Sequence, residues 1–179
     1  TFWFLLASAV YRDGLAAVSM QTASDIRPQV RQAVFYPGKD YAQLLEKAGR
    51  ELHAHAYRSI TVLAGGEYQI LSVDAPNVAP DELKTAVRWR LKDMLDFHVD
   101  DATIDVLDLP VDKNAAVRPQ HSIFAVAARN SVIGERQKLF TAAGADLTVI
   151  DIPEMAQRNI SALLEPEGRG VAMLSFGED

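Results

Sequence analysis

Cysteine is absent from the 179 residues, which removes disulfides, thiolate nucleophiles and every zinc or iron–sulfur site built on thiolates. Positive charge is scarce: 18 Lys+Arg stand against 24 Asp+Glu, a net −6. The bases form no block, so the electrostatic footprint of a nucleic-acid binder is missing. Long apolar runs are missing too. The run from Phe2 to Val10 ends at Tyr11-Arg12-Asp13, far short of the roughly 20 residues a membrane-spanning helix needs. No basic segment precedes it, and Tyr11-Arg12-Asp13-Gly14 reads as a hairpin turn rather than a signal-peptide cleavage site. The glycine-rich phosphate loop, the dinucleotide fingerprint, the helical zinc-protease motif and the nucleophile elbow are also absent. No internal repeat or low-complexity tract occurs.

What is present is ordinary globular material, 49% hydrophobic and 23% charged, which excludes a disordered, collagenous or coiled-coil chain. The length suits about one domain, or two small intertwined ones. The first 36 residues predict a three-strand meander: Phe2 to Tyr11, Leu15 to Gln21 and Val30 to Tyr36. Asp40 is placed to cap a helix in which Tyr41, Leu44, Leu45, Ala48 and Leu52 recur at helical spacing up to about Ala56, with one face packing on the meander. Ser59 to Ala64 and Tyr68 to Val73 read as strands joined in a hairpin by Gly65-Gly66. Pro80-Asp81-Glu82 starts a helix whose apolar stripe is Leu83, Ala86, Val87, Leu91 and Met94. Thr103 to Leu109 is a weak strand, Val111 to Gln120 a loop and Ser122 to Ala128 a strand. A helix capped by Asn130 or Ser131 ends at Gly144. Leu147 to Ile152 is strand-like, Pro153 opens a helix to about Leu164, and Val171 to Phe176 reads as a last strand. That run stops almost at the final residue, which reads as a cut in a longer polypeptide.

Chemistry-bearing residues are few. His53 and His55, read as neighbours on one helix, point about 200° apart and cannot share a metal. They and His98 and His121 read as solvated or edge-packed. Asp93, Asp96, Asp100, Asp101, Asp105 and Asp108 cluster, but without calcium-loop spacing, and read as solvated acids. Trp89 stands apart. At 100° per residue the stripe from Leu83 to Met94 spans about 0° to 80°, whereas Trp89 lies near 240°. It either packs against another element of its subdomain or anchors a partner. Arg90, near about 340°, is placed to lay its stem along the apolar border.

From Ala79-Pro80-Asp81-Glu82-Leu83 through Val87-Arg88-Trp89-Arg90 to Leu95-Asp96-Phe97, and at Ile104-Asp105-Val106-Leu107, the chain resembles the PilM family of type IV pilus assembly proteins. The resemblance continues at Phe124-Ala125-Val126-Ala127-Ala128, at Ala143-Gly144-Ala145-Asp146-Leu147-Thr148-Val149-Ile150-Asp151-Ile152-Pro153-Glu154-Met155-Ala156 and at Arg158. It is nearest the branch serving MSHA pili and more distant from the cytoplasmic domain of the secretion protein GspL. The resemblance implies an α/β, actin-like fold of the FtsA type. Residues 1–76 with the returning helix 153–166 are then the first RNase H-like half, 77–152 an inserted α+β subdomain, and 167–179 the start of a truncated second half.

The resemblance also implies a function: a cytoplasmic scaffold, peripheral to the inner membrane, that binds the cytoplasmic N-terminal segment of a PilN- or MshJ-like inner-membrane protein. That segment is expected between the meander half and the inserted subdomain, within reach of Arg88 and Trp89. ATP-binding members of the fold carry an Asp-x-Gly turn with a following Lys in the opening hairpin, the Asp serving the metal-bound phosphates. Here Leu5-Leu6-Ala7-Ser8-Ala9-Val10 offers Ala or Ser at those places, and Ser175 stands where a second Asp is expected. The nucleotide site is therefore expected to be degenerate, with no enzyme activity, no ATP-Mg and no catalytic, nucleotide-binding or metal residue. The alternatives are a GspL-like domain docking its secretion ATPase, and an active ATPase of the same fold.

Overall fold

The computed structural model describes residues 3–23, 26–108, 121–164 and 171–174. In chain order the elements are β1 (Trp3–Tyr11), β2 (Gly14–Ala23), β3 (Ile26–Pro37), α1 (Tyr41–Glu51), β4 (Arg58–Val62), β5 (Tyr68–Asp74), α2 (Leu83–Leu91), β6 (Ala102–Asp108), β7 (Ser122–Arg129), α3 (Asn130–Ala142), β8 (Asp146–Asp151) and α4 (Pro153–Leu164). They divide into two compact units, residues 1–64 with 136–179, and residues 65–135.

In the first unit β1, β2 and β3 form the expected antiparallel meander. Its first turn is tight, with Tyr11 opposite Gly14. A Cβ on Gly14 would lie 2.3 Å from the Tyr36 carbonyl oxygen, so only glycine lets β2 and β3 approach there. β4 adds to β1 in parallel and β8 adds to β4 in parallel, giving the order β3-β2-β1-β4-β8. The sheet is therefore mixed, antiparallel over β3-β2-β1 and parallel over β1-β4-β8. Asp40 caps α1, accepting from the Gln43 amide at 3.1 Å, which satisfies one of the free N–H groups of the first turn. Leu45, Ala48 and Leu52 then bury against Leu6, Leu15, Ala17 and Tyr36. Each buried leucine contributes about 1.5–3 kcal/mol, enough to hold an 11-residue helix that would be marginal alone.

In the second unit β7 lies between β5 and β6, antiparallel to both. Alanines 125 and 127 of this central strand are fully buried, and small side chains there leave room for α2 to approach. Val87 and Leu91 of α2 pack on Val73, Ile123 and Ala125. This is the stripe the helical spacing predicts, except at its end: α2 stops at Leu91, and Met94 lies exposed beyond it.

Several expectations are corrected. Gly65-Gly66 is not a hairpin turn, because β4 pairs with β1 and β8 whereas β5 pairs with β7 in the other sheet. The unit boundaries consequently fall at 64/65 and 135/136 rather than 76/77 and 152/153. β5 joins the inserted unit, and β8 leaves it for the five-stranded sheet. α1 ends at Glu51 rather than near Ala56. His53 takes a left-handed conformation, φ 54° and ψ 49°, and a single 3₁₀ turn follows at Ala54–Ala56. Residues 171–174 belong to no strand. The expected loop 111–120 and Ser175 lie outside the described residues. Gly144 does close α3 as expected, at φ 68°, with the Ala145 amide donating to the Phe140 carbonyl at 2.9 Å.

Candidate interaction site

The inserted unit presents α2 with its polar side outward, and its basic residues are held at both flanks. Lys84 Nζ lies 2.7 Å from Asp105 Oδ1. Arg88 donates from Nη1 to the Ala102 carbonyl at 3.1 Å, and its Nη2 lies 3.6 Å from Asp100 Oδ1. Arg90 donates from Nη1 to the Asp74 carbonyl at 3.0 Å. These bonds tie the helix to the start of β6 on one side and the end of β5 on the other. Arg90 therefore uses its charged head as well as its stem.

Trp89 is left between them, 72% exposed. It lies off the buried stripe, as the 100° periodicity predicts, and outside the buried cluster of its own unit. An isolated exposed valine or leucine needs no explanation. A tryptophan is different, because its large ring gives the most contact area per ordered side chain and recurs at binding hot spots. Of the two residues that the sequence singled out, Trp89 is free for contact, whereas the half-buried Arg88 is engaged within its own unit.

The remaining polar candidates separate into local pairs. His121 Nε2 and Asp108 Oδ1 are 2.5 Å apart, Asp96 accepts from Gln69, and His98 Nδ1 accepts from the Asp100 amide at 3.3 Å. Among the described residues no group of three His, Asp or Glu side chains is arranged to hold a metal ion. His53 and His55 are not on one helix after all; their rings meet edge to face with centroids 6.1 Å apart. The opening hairpin places Ala7, Ser8 and Ala9 within β1 and no carboxylate before its turn.

Sequence reasoning missed a cleft in the first unit, lined by Trp3, Phe4, His55, Tyr57, Arg58 and Asp146. These residues come from the beginnings of β1, β4 and β8 and from the segment before β4, so no local spacing marks them.

No protein-family model matches the chain, and no curated protein matches it. Solved structures do. A chain of the PilM–PilN type IV pilus biogenesis complex matches with a TM-score of 0.74 at 18% identity, over 89% of this chain and 51% of that one. The cytoplasmic domain of EpsL, an inner-membrane component of the type II secretion system of Vibrio cholerae, matches with a TM-score of 0.59 at 16% identity, over 84% of this chain and 57% of that one. The chain thus spans about half the length of the structures it matches. At such identities the likeness establishes the fold, an actin-like α/β architecture in agreement with the β3-β2-β1-β4-β8 sheet.

Proposed function

We propose that this chain is the actin-like part of a cytoplasmic assembly protein in a type IV pilus or type II secretion machine, recruiting an inner-membrane partner through that partner's short cytoplasmic N-terminal segment. The observation that carries the reading is the likeness, over 89% of the chain, to a chain of a complex whose name joins PilM to PilN. The sequence resemblance refines it to an MSHA-type pilus, an MshI-like protein and a PilN- or MshJ-like partner. Trp89 supplies the exposed contact, and Arg88 keeps its helix in place. Attachment to the membrane runs through the partner; among the described residues no helix is long and apolar enough to cross a bilayer.

The reading is non-enzymatic, and β1 supports that part. In ATP-binding members of the fold the carboxylate precedes this turn; here Leu5 to Val10 carries none, and the one carboxylate of the hairpin, Asp13, lies in the turn itself. The likeness to the EpsL cytoplasmic domain favours a second reading, a GspL-like domain that docks a secretion ATPase.

Calorimetry with synthetic cytoplasmic segments tests the first reading. Saturable binding of a PilN- or MshJ-like segment at about micromolar affinity is expected. No heat with that segment, together with binding of a secretion ATPase, transfers the protein to the second reading. Mg-ATP is expected to give no heat, and micromolar binding of it overturns the non-enzymatic part alone.

A further inference from the structure

We propose that the cleft at the start of β1, β4 and β8 is a second protein-docking site, and that it takes an extended segment with an apolar anchor next to a carboxylate. The cleft has a volume of about 310 Å³ and lies wholly in the unit of residues 1–64 and 136–179. That volume is at the lower end for sites that enclose a small ligand and suits one or two side chains.

Three aromatic rings form its apolar part. Phe4 and Tyr57 meet edge to face with centroids 6.0 Å apart, which fixes both rings. Trp3 and Phe4 both line the cleft and remain 41% and 40% exposed, so two large rings at the start of the first strand are left partly uncovered there. The chain also reaches this place through a strained residue. His53 is the single non-glycine residue with positive φ among those described, and its left-handed turn directs the segment carrying His55 and Tyr57 to the cleft. Backbone strain of this kind persists where the surrounding structure requires it and clusters at binding sites.

The charge around the rings selects the occupant. Among the described residues Arg58 has no ion-pair partner, although Asp146 is its register neighbour across β4 and β8. The Arg31 guanidinium lies 5.4 Å from the centre of the Phe4 ring, held by Gln21 at 2.7 Å. Among the described residues two guanidinium groups stand against one carboxylate, which makes the opening cationic. An acidic side chain beside an apolar one therefore gains a charge-assisted hydrogen bond to Arg58 while its neighbour enters between the rings. A basic segment meets repulsion at the same place.

The test uses the 179-residue chain carrying Trp89→Phe, which leaves Trp3 as the sole tryptophan of two. The probe is a capped pentapeptide, Ala-Asp-Leu-Phe-Ala, followed by Trp3 fluorescence. A saturable spectral change is expected, weakened about tenfold when the peptide's Asp is replaced by Asn or when Arg58→Gln is introduced, and lost when its Phe is replaced by Ala. Absence of a saturable change, equal binding of the Asn peptide, or tighter binding of a Lys peptide overturns the proposal. The peptide controls need no second protein variant, and a melting curve checks that Arg58→Gln is folded. Trp89 is already removed in this background, so the outcome is independent of whether the α2 surface binds a partner.

Discussion

Trp89 and Arg88 are adjacent in sequence and opposite in what they do, and substitution separates them. Trp89 is 72% exposed and lies outside the buried core of its unit, so Trp89→Ala is expected to leave thermal unfolding nearly unchanged. If it anchors the partner segment, the same change weakens binding by about 2 kcal/mol, or roughly thirtyfold. Arg88→Ala removes the bond to the Ala102 carbonyl and the pairing with Asp100, and is expected to lower stability by about 1–2 kcal/mol. A sharp fall in melting for Trp89→Ala, or unchanged binding, removes the site. Tyr36 gives a second residue-scale test. It is buried, and burial, followed by its hydrogen bond to Glu51 at 2.9 Å and the charge of that carboxylate, pushes its phenol up to about 12 from 10.0. The folded state therefore keeps this proton where the unfolded chain has lost it. Its contribution is fully present below pH 10 and disappears as pH rises toward 12, a loss of about 2–3 kcal/mol over that window. Urea unfolding at pH 9 and pH 11.5 should show this loss in the parent chain and a smaller one in Tyr36→Phe.

At the scale of elements, one glycine decides how closely two helices approach. A Cβ on Gly49 of α1 would lie 2.6 Å from the carbonyl oxygen of Ala143, just past α3. Helix propensity alone favours alanine at this position by about 1 kcal/mol, but overlap with backbone cannot be relieved by a side-chain rotation, and overpacking costs about 1–3 kcal/mol. Gly49→Ala is expected to lower the melting temperature by roughly 2–8 °C; an increase would mean that α1 and α3 can separate without loss. Elements such as α1 were legible in the sequence because cap, periodicity and buried face all lie within one short window. The same holds for the meander and for α2, whose period correctly puts Trp89 outside the core. What one window does not contain is pairing. Ser59 to Ala64 and Tyr68 to Val73 have the local look of a hairpin, yet their partners lie at Ala7 and Val149 for Ile60 and at Val126 for Ile70. Apolar content and a glycine doublet cannot distinguish a turn from a crossing between two sheets. For the same reason Arg88 was legible as a helix residue, but its bond to Ala102, fourteen positions away, was not.

The whole molecule has two cores and an uneven charge. Leu6, Leu15, Tyr36, Leu45 and Phe140 belong to one core, and Val73, Val87, Leu91 and Ile123 to the other. Residues 65–135 hold 12 Asp+Glu against 7 Lys+Arg, and the rest of the chain holds 12 against 11, so −5 of the net −6 falls in the unit that carries Trp89. Cytoplasmic segments next to a membrane-spanning helix are enriched in Lys and Arg. On the proposed reading such a segment is drawn to residues 65–135 by a field that acts before contact, whereas the tryptophan acts after it. The two contributions are separable because salt screens the first and leaves the second nearly untouched. Raising ionic strength from about 0.05 M to about 0.5 M should slow association of the partner segment roughly tenfold, while dissociation changes less than about twofold. Trp89→Ala should do the reverse, accelerating dissociation at every salt concentration. Stopped-flow measurement of both rates checks this. An association rate independent of salt would remove the acidic unit from recognition and leave Trp89 as the only argued contact.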